Sequence, residues 1–166
     1  MTKRAFRSIG LGLGWGLSSG LALLGAALPA RADDHGPRVP MPAKYLQECA
    51  SCHAAYPPGL LPAPSWQRVM GNLSKHYGTD ASLDAATVQE LTGWLTAQAG
   101  ASSGRRAREA PPQDRITLSA WFVREHDELR PATWKLPAVK SPSNCSACHT
   151  RADQGEYRER DIRIPR

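Results

Sequence analysis

All four cysteines of this 166-residue chain fall in two copies of one five-residue pattern, Cys49-Ala50-Ser51-Cys52-His53 and Cys145-Ser146-Ala147-Cys148-His149. Two thiols three positions apart, with an imidazole directly after them, can do three kinds of chemistry. They can close a redox disulfide, supply ligands to zinc, or attach haem through two thioethers while the histidine reaches the iron. On a helix, positions i, i+3 and i+4 share one face, so both thiols and the ring nitrogen would be presented together. A structural zinc site would use the two Cys-x-x-Cys pairs converging on one metal. Cys145 follows Cys49 by 96 positions, which leaves convergence geometrically open, but zinc gives no reason for a histidine in the same place twice. A thioredoxin-like pair belongs in a βαβ pattern, and none is visible. The pattern therefore predicts two covalent haem c groups, one held by Cys49 and Cys52 and one by Cys145 and Cys148. His53 and His149 are then the proximal iron ligands.

The sixth position on each iron decides between an electron carrier and a protein that binds or transforms a small molecule. Methionine is scarce. Met41 closely precedes the first motif, and Met70 sits in an apolar stripe where methionine is usually core filler. Histidine is better supplied, by His35, His76 and His126. His35 lies in DDHGPR near the start of the mature chain, where the expected state is mobile and solvated. His76 is at the edge of the stripe Trp66, Val69, Met70, Leu73 and Tyr77; His126 is between Phe122 and Leu129 on the apolar face of SAWFVREHDEL. A histidine in either place is ordinarily a boundary residue, but two open iron positions make His76 and His126 the candidate distal ligands. His76 follows His53 by 23 residues and His126 precedes His149 by 23. Each then closes the nearer haem, because shorter loops cost less to close; the crossed arrangement is the alternative.

The elements that must position these residues read as helix and coil. PAKYLQECASCHAAY puts Tyr45, Cys49, Cys52, His53 and Tyr56 on one helical face, ended by Pro57-Pro58-Gly59. A second helix, with Ser65 as its cap, runs through SWQRVMGNLSKHY. A third begins at the cap Ser82, has the stripe Val88, Leu91 and Leu95, and closes at Gly100. The composition then shifts to ASSGRRAREAPP, a soft boundary. Beyond it come the His126 helix, an extended stretch RPATWKLPAVKSPSN and a last haem helix. No segment alternates with period two. The expected fold is mainly α, with two haem-bearing helical lobes at about 41–100 and 113–166, extended loops and little or no sheet. Each lobe is too small to form a core unaided, so porphyrin surface is expected to complete both, and the apoprotein is expected to fold poorly.

The N-terminus carries Lys3, Arg4 and Arg7, an apolar run over residues 9–28, and the A-x-A sequence Ala30-Arg31-Ala32. Residues 1–32 are read as a secretory signal peptide and 33–166 as the mature dihaem domain, in the periplasm. About twenty apolar residues can also span a bilayer, so an uncleaved anchor is the alternative, and contact with a membrane depends on it. Removing the signal takes away four basic residues of the formal +6. The remaining 17 basic and 15 acidic side chains give +2, which makes no case for nucleic acid. Arg105, Arg106 and Arg108 are a candidate docking patch, set against the usual reading of a solvated linker.

The blocks ECASCHAAYPPGLLPAPSWQRVMGNLSKHYGTDASLD, RITLSAWFVREHDEL and VKSPSNCSACHTRADQGEYRERDIRIP resemble the exported dihaem cytochrome c family of purple phototrophic and related bacteria. The resemblance spans nearly the whole mature chain from about Ala43. It implies a small helical electron-transfer protein with two low-spin, bis-histidine haems and no catalytic residue. It carries the attachment cysteines over to Cys49, Cys52, Cys145 and Cys148, the proximal ligands to His53 and His149, and the distal ligands to His76 and His126. It further implies a high-spin monohaem cytochrome c as electron acceptor and a membrane cytochrome b as donor. Bis-histidine ligation lacks the methionine that raises the potential of ordinary cytochromes c, so low potentials are expected. A dihaem peroxidase or a gas-binding or sensing haem protein is the alternative, and either requires an iron that can open.

Overall fold

A computed structural model of the protein describes residues 39–99 and 109–166. These residues all belong to one compact unit. They form four short α-helices joined by tight turns, several of them single turns of 3-10 helix, and contain no β-strand. Two isolated antiparallel bridges, His76 with Thr79 and His149 with Ile162, are the only sheet-like pairings among the described residues. No helix among them is long and apolar enough to cross a membrane.

Helix α1, Ala43–Cys49, starts after Pro42, whose fixed φ suits a helix entry, and buries only Tyr45. The Tyr45 hydroxyl donates to the Tyr56 carbonyl at 2.8 Å. Helix α2, Ala63–Met70, follows Pro62, has Pro64 in its first turn, and buries Trp66 and Met70. The indole Nε1–H of Trp66 donates to the Pro58 carbonyl at 2.7 Å and ties α2 to the loop before it. Helix α3, Ala85–Ala99, lies across α2. Its buried residues, Thr87, Leu91, Leu95 and Ala99, recur every four positions, and Leu91 and Leu95 are 0 % exposed. With Tyr45, Ala55, Leu61, Trp66 and Met70 they make the main hydrophobic core.

Helix α4, Ala120–Glu125, is capped by Ser119, whose hydroxyl accepts from the Phe122 amide at 3.2 Å. It buries Phe122. The rest of the second half is turns, with Val139, Cys148 and Ala152 buried among them.

Several sequence expectations change at the level of elements. The α3 cap is Asp84, which accepts from the Thr87 amide at 3.0 Å and the Thr87 hydroxyl at 2.6 Å. Ser82 is occupied in a local turn with Asp80, and a carboxylate complements a helix N-terminus better than a hydroxyl. Ser65 sits inside α2 rather than capping it. The helix expected to run on to Tyr77 stops at Gly71, and a single turn, Leu73–Lys75, carries the chain to His76. Helix α1 stops at Cys49, so Cys52 and His53 lie in the turn beyond it. The second motif is likewise not an α-helix but one turn, Cys145–Ala147, closed by His149 N–H to the Cys145 carbonyl at 2.9 Å. Serine and cysteine in both motifs, with Asn144 before the second, favour local hydrogen bonding over helix propagation. The stretch 130–144 is a series of turns rather than extended chain, because the φ of a proline fits a tight turn as well as an extended segment. Gly100, Arg105, Arg106, Arg108, His35 and the whole of 1–32 lie outside the described residues.

Candidate haem sites

The two motif histidines each face one of the other two described histidines. His53, in the turn after α1, lies 6.2 Å from His76 between ring centroids, with the planes inclined by 22°. His149 lies 6.1 Å from His126, with the planes inclined by 77°. The chain brings His76 to that position by the break at Gly71. An added Cβ there would sit 3.1 Å from the Gln67 carbonyl, and the left-handed Tyr77 (φ 49°) and Gly78 (φ 99°) then turn the backbone away. His126 is the residue that terminates α4.

One ring of each pair is fixed in tautomer. His53 Nδ1 is 2.7 Å from the Ala54 carbonyl, and His126 Nδ1 is 2.8 Å from the Phe122 carbonyl. A carbonyl only accepts, so both nitrogens carry the proton and both Nε2 atoms keep a lone pair. His149 has its Nδ1 buried with no hydrogen-bond partner. Burial lowers the pKa of His76 and of His149, and the facing histidine of each pair lowers it further. In each pair one ring thus has its Nδ1 engaged by a carbonyl and the other is shifted toward the neutral, lone-pair-bearing form that a metal ion requires.

Aromatic side chains flank the rings. Tyr56 stacks on His53 at 4.7 Å and 16°, and Phe122 on His126 at 4.1 Å and 24°. Trp134 lies 5.8 Å from His126, and Tyr157 meets His149 edge-on at 5.2 Å.

The thiols are not those of a redox pair. None of the four is in a disulfide. Burial pushes Cys49 and Cys145 up to about 11 and also raises Cys148, whereas reactive Cys-x-x-Cys thiols are held low. Nor do the two pairs converge as a shared zinc would require, since no group of three or more metal-ligating side chains forms among the described residues.

The donor set fits a haem between each pair of rings. Two metal–imidazole bonds of about 2 Å, with half a five-membered ring at either end, separate ring centroids by on the order of 6 Å. Met70 is instead buried in the main core, and Met41 packs against that core. The ring neighbour Tyr157 and the ion pair between Arg68 and Asp114 at 2.7 Å were not visible as a set in the sequence. They are assembled by tertiary contact, and only the run of aromatic residues near each histidine hinted at them.

Comparison with known proteins agrees with two attached haems. The family described as dihaem cytochrome c matches residues 45–157. A dihaem cytochrome type c from Shewanella baltica OS155 is 37% identical over 76% of this chain and 95% of its own, with a TM-score of 0.64. Two structures of the dihaem cytochrome c of Rhodobacter sphaeroides are also similar. One is 40% identical over 72% of this chain, with a TM-score of 0.61. The other is 38% identical over 73%, with a TM-score of 0.64. Both are covered over 100% of their own length. No curated protein is significantly similar in sequence. With two Cys-x-x-Cys-His motifs inside a match that spans most of the described residues, the chain belongs to the dihaem cytochrome c family.

Proposed function

We propose that the protein is a periplasmic electron carrier in which His53 and His76 hold one low-spin haem iron and His149 and His126 hold the other. Family membership supplies the coarser part: two c-type haems attached through Cys49/Cys52 and Cys145/Cys148, serving electron transfer. The finer part rests on one observation, the equal spacing of the two ring pairs at 6.2 and 6.1 Å. When bound, each haem iron takes up and releases a single electron. The work of the chain would be to offer two histidines to each iron, so that oxygen or peroxide would meet no open site. Tyr56 and Phe122 hold one ring of each pair from the side, and the Nδ1–H bonds to Ala54 and Phe122 fix which nitrogen faces the metal.

Residues 1–32 act in this reading as a cleaved export signal. A high-spin monohaem cytochrome c is the proposed electron acceptor and a membrane cytochrome b the proposed donor, both from the family resemblance. No nucleic acid takes part.

Near-infrared magnetic circular dichroism of the oxidised holoprotein, followed through a redox titration, tests the ligand set. Two bis-histidine signatures at low potential are expected, with no carbon monoxide adduct in the ferrous state. A high-spin or histidine–methionine band at either iron, or turnover of peroxide, would sink the carrier reading in favour of a peroxidase or gas-binding protein.

A further inference from the structure

The two histidine pairs are equally wide but differently turned. The planes of His53 and His76 are inclined by 22°, close to parallel, and those of His126 and His149 by 77°, close to crossed. The turning has a visible cause in the side chains around the rings. Tyr56 lies nearly parallel to His53, at 16°, while its hydroxyl is anchored to the Ser143 carbonyl at 2.9 Å. Phe122 lies nearly parallel to His126, at 24°, and its carbonyl accepts the Nδ1–H of the same ring. On the far side of the second pair, Tyr157 meets His149 edge-on at 65° and gives it no parallel face to follow. His149 is also held by its backbone, in the bridge to Ile162.

We propose that Tyr56 and Phe122 are positioning residues that fix these ring angles and make the two haems unlike, the crossed one at His126 and His149 being the first to accept an electron. This rests on the bis-histidine reading above. A low-spin ferric iron has one hole in its d orbitals of π symmetry. Parallel imidazoles raise one of those orbitals above the other, and the hole occupies it, which stabilises the ferric ion. Crossed imidazoles act on both orbitals alike and give no such gain. The ferrous ion, with these orbitals full, gains in neither case. The iron between parallel rings therefore holds less tightly to an added electron.

Two other influences on potential do not reverse this order. Each pair contains one histidine whose Nδ1 donates to a backbone carbonyl, and the buried Nδ1 of His149, which has no such partner, leaves that ring the weaker donor and so acts in the same direction. Burial does not oppose the ring angle: Cys52 is exposed and Cys148 buried, while Cys49, Cys145 and all four rings are half-buried, and shielding from water disfavours the more highly charged ferric state. The step is a single electron passing from a one-electron reductant to the ferric iron of the second site, with no bond made or broken in the chain.

Electron paramagnetic resonance of the oxidised full-length holoprotein, during stepwise reduction with dithionite, reads the angles directly. Two low-spin signals of equal integrated intensity are expected. One is rhombic with all three g values resolved, and the other is dominated by a single feature at large g, which disappears first on reduction. Tyr56→Leu is expected to shift only the rhombic signal, whereas Tyr56→Phe, which keeps the ring, leaves it in place. Phe122→Leu is expected to shift only the large-g signal and to narrow the gap between the two potentials. If a leucine variant loses haem, the titration of the unmodified protein still decides the main claim. Two signals of the same type, or earlier loss of the rhombic one, would overturn it. Magnetic circular dichroism bands report ligand identity rather than ring angle. Bis-histidine bands at both irons with two alike resonance signals therefore defeat this inference alone, while a histidine–methionine or high-spin band defeats the proposed function and this inference with it.

Discussion

His126 illustrates how a single side chain is prepared for the role proposed for it. It ends α4, its Nδ1–H is taken by the Phe122 carbonyl one turn earlier, and its ring rests on the Phe122 ring at 4.1 Å. Those contacts leave Nε2 unengaged, with the His149 ring 6.1 Å away between centroids. Replacing His126 with alanine is expected to turn the C-terminal haem high-spin and leave the N-terminal haem unchanged. Visible and near-infrared spectra of the oxidised variant check this, and a change confined to the first haem would mean that the pairs are crossed. At this scale the sequence was informative. The five-residue motifs name the attachment chemistry, and the small number of remaining histidines narrows the distal candidates to His76 and His126. The ring angles were not legible, because they depend on Tyr56, Phe122 and Tyr157 packing against the imidazoles, and spacing along the chain carries no record of a plane.

Among the elements, α3 is the clearest case of local pattern dictating packing. Leu91 and Leu95, one turn apart and fully buried, press the helix against α2. Leu95→Ala removes a packed side chain from the only extensive core among the described residues. It is expected to destabilise the holoprotein by about 2–5 kcal/mol, measured by denaturant unfolding at constant m-value. The third helix was legible from its apolar period even though its cap was placed at Ser82 rather than Asp84. The helices around the haem motifs were overread for a physical reason. Seven residues of α1 and six of α4 give few hydrogen bonds against the cost of nucleation, so a helix that tertiary packing does not extend stops early. Gly71 and the prolines of 130–144 add local conformations that a helical wheel does not represent.

In the whole molecule, the two haem-bearing halves are tied by side chains far apart in sequence. Arg68 of α2 pairs with Asp114 at 2.7 Å, Tyr77 donates to the Asp114 carbonyl at 2.9 Å, and Tyr56 donates to the Ser143 carbonyl across 87 positions. None of these was legible, since each joins residues whose separation has no periodic signature. Nor was it legible that Asp114, just beyond the shift in composition at 100–112, would clasp α2. The Arg68 guanidinium hydrogen-bonded to Asp114 holds its carboxyl below the ordinary value of 3.8. A carboxyl depressed by folding stabilises the native state fully above its unfolded pKa and loses that contribution as the pH falls through it toward the lower folded value. Asp114→Asn is therefore expected to be less stable than the unmodified protein near neutral pH and to lose less of its melting temperature between there and about pH 3. Thermal melts of both holoproteins across that range check the sign, and parallel curves would count against the clasp.

The Tyr56–Ser143 hydrogen bond also bears on the order in which the molecule is assembled. A chain is made from its N-terminus, so Tyr56 and the first Cys-x-x-Cys-His motif exist well before Ser143 does. Until that partner arrives, the flank of the first motif that Tyr56 will later close has nothing to close against. The second motif has no such interval, because its fastening residues follow almost at once: the Arg163 amide donates to the Cys148 carbonyl at 2.8 Å and the Thr150 amide to the Asp161 carbonyl at 3.2 Å. The contact beside the first motif thus needs most of the chain to be present before it can form, whereas those beside the second need only the last stretch.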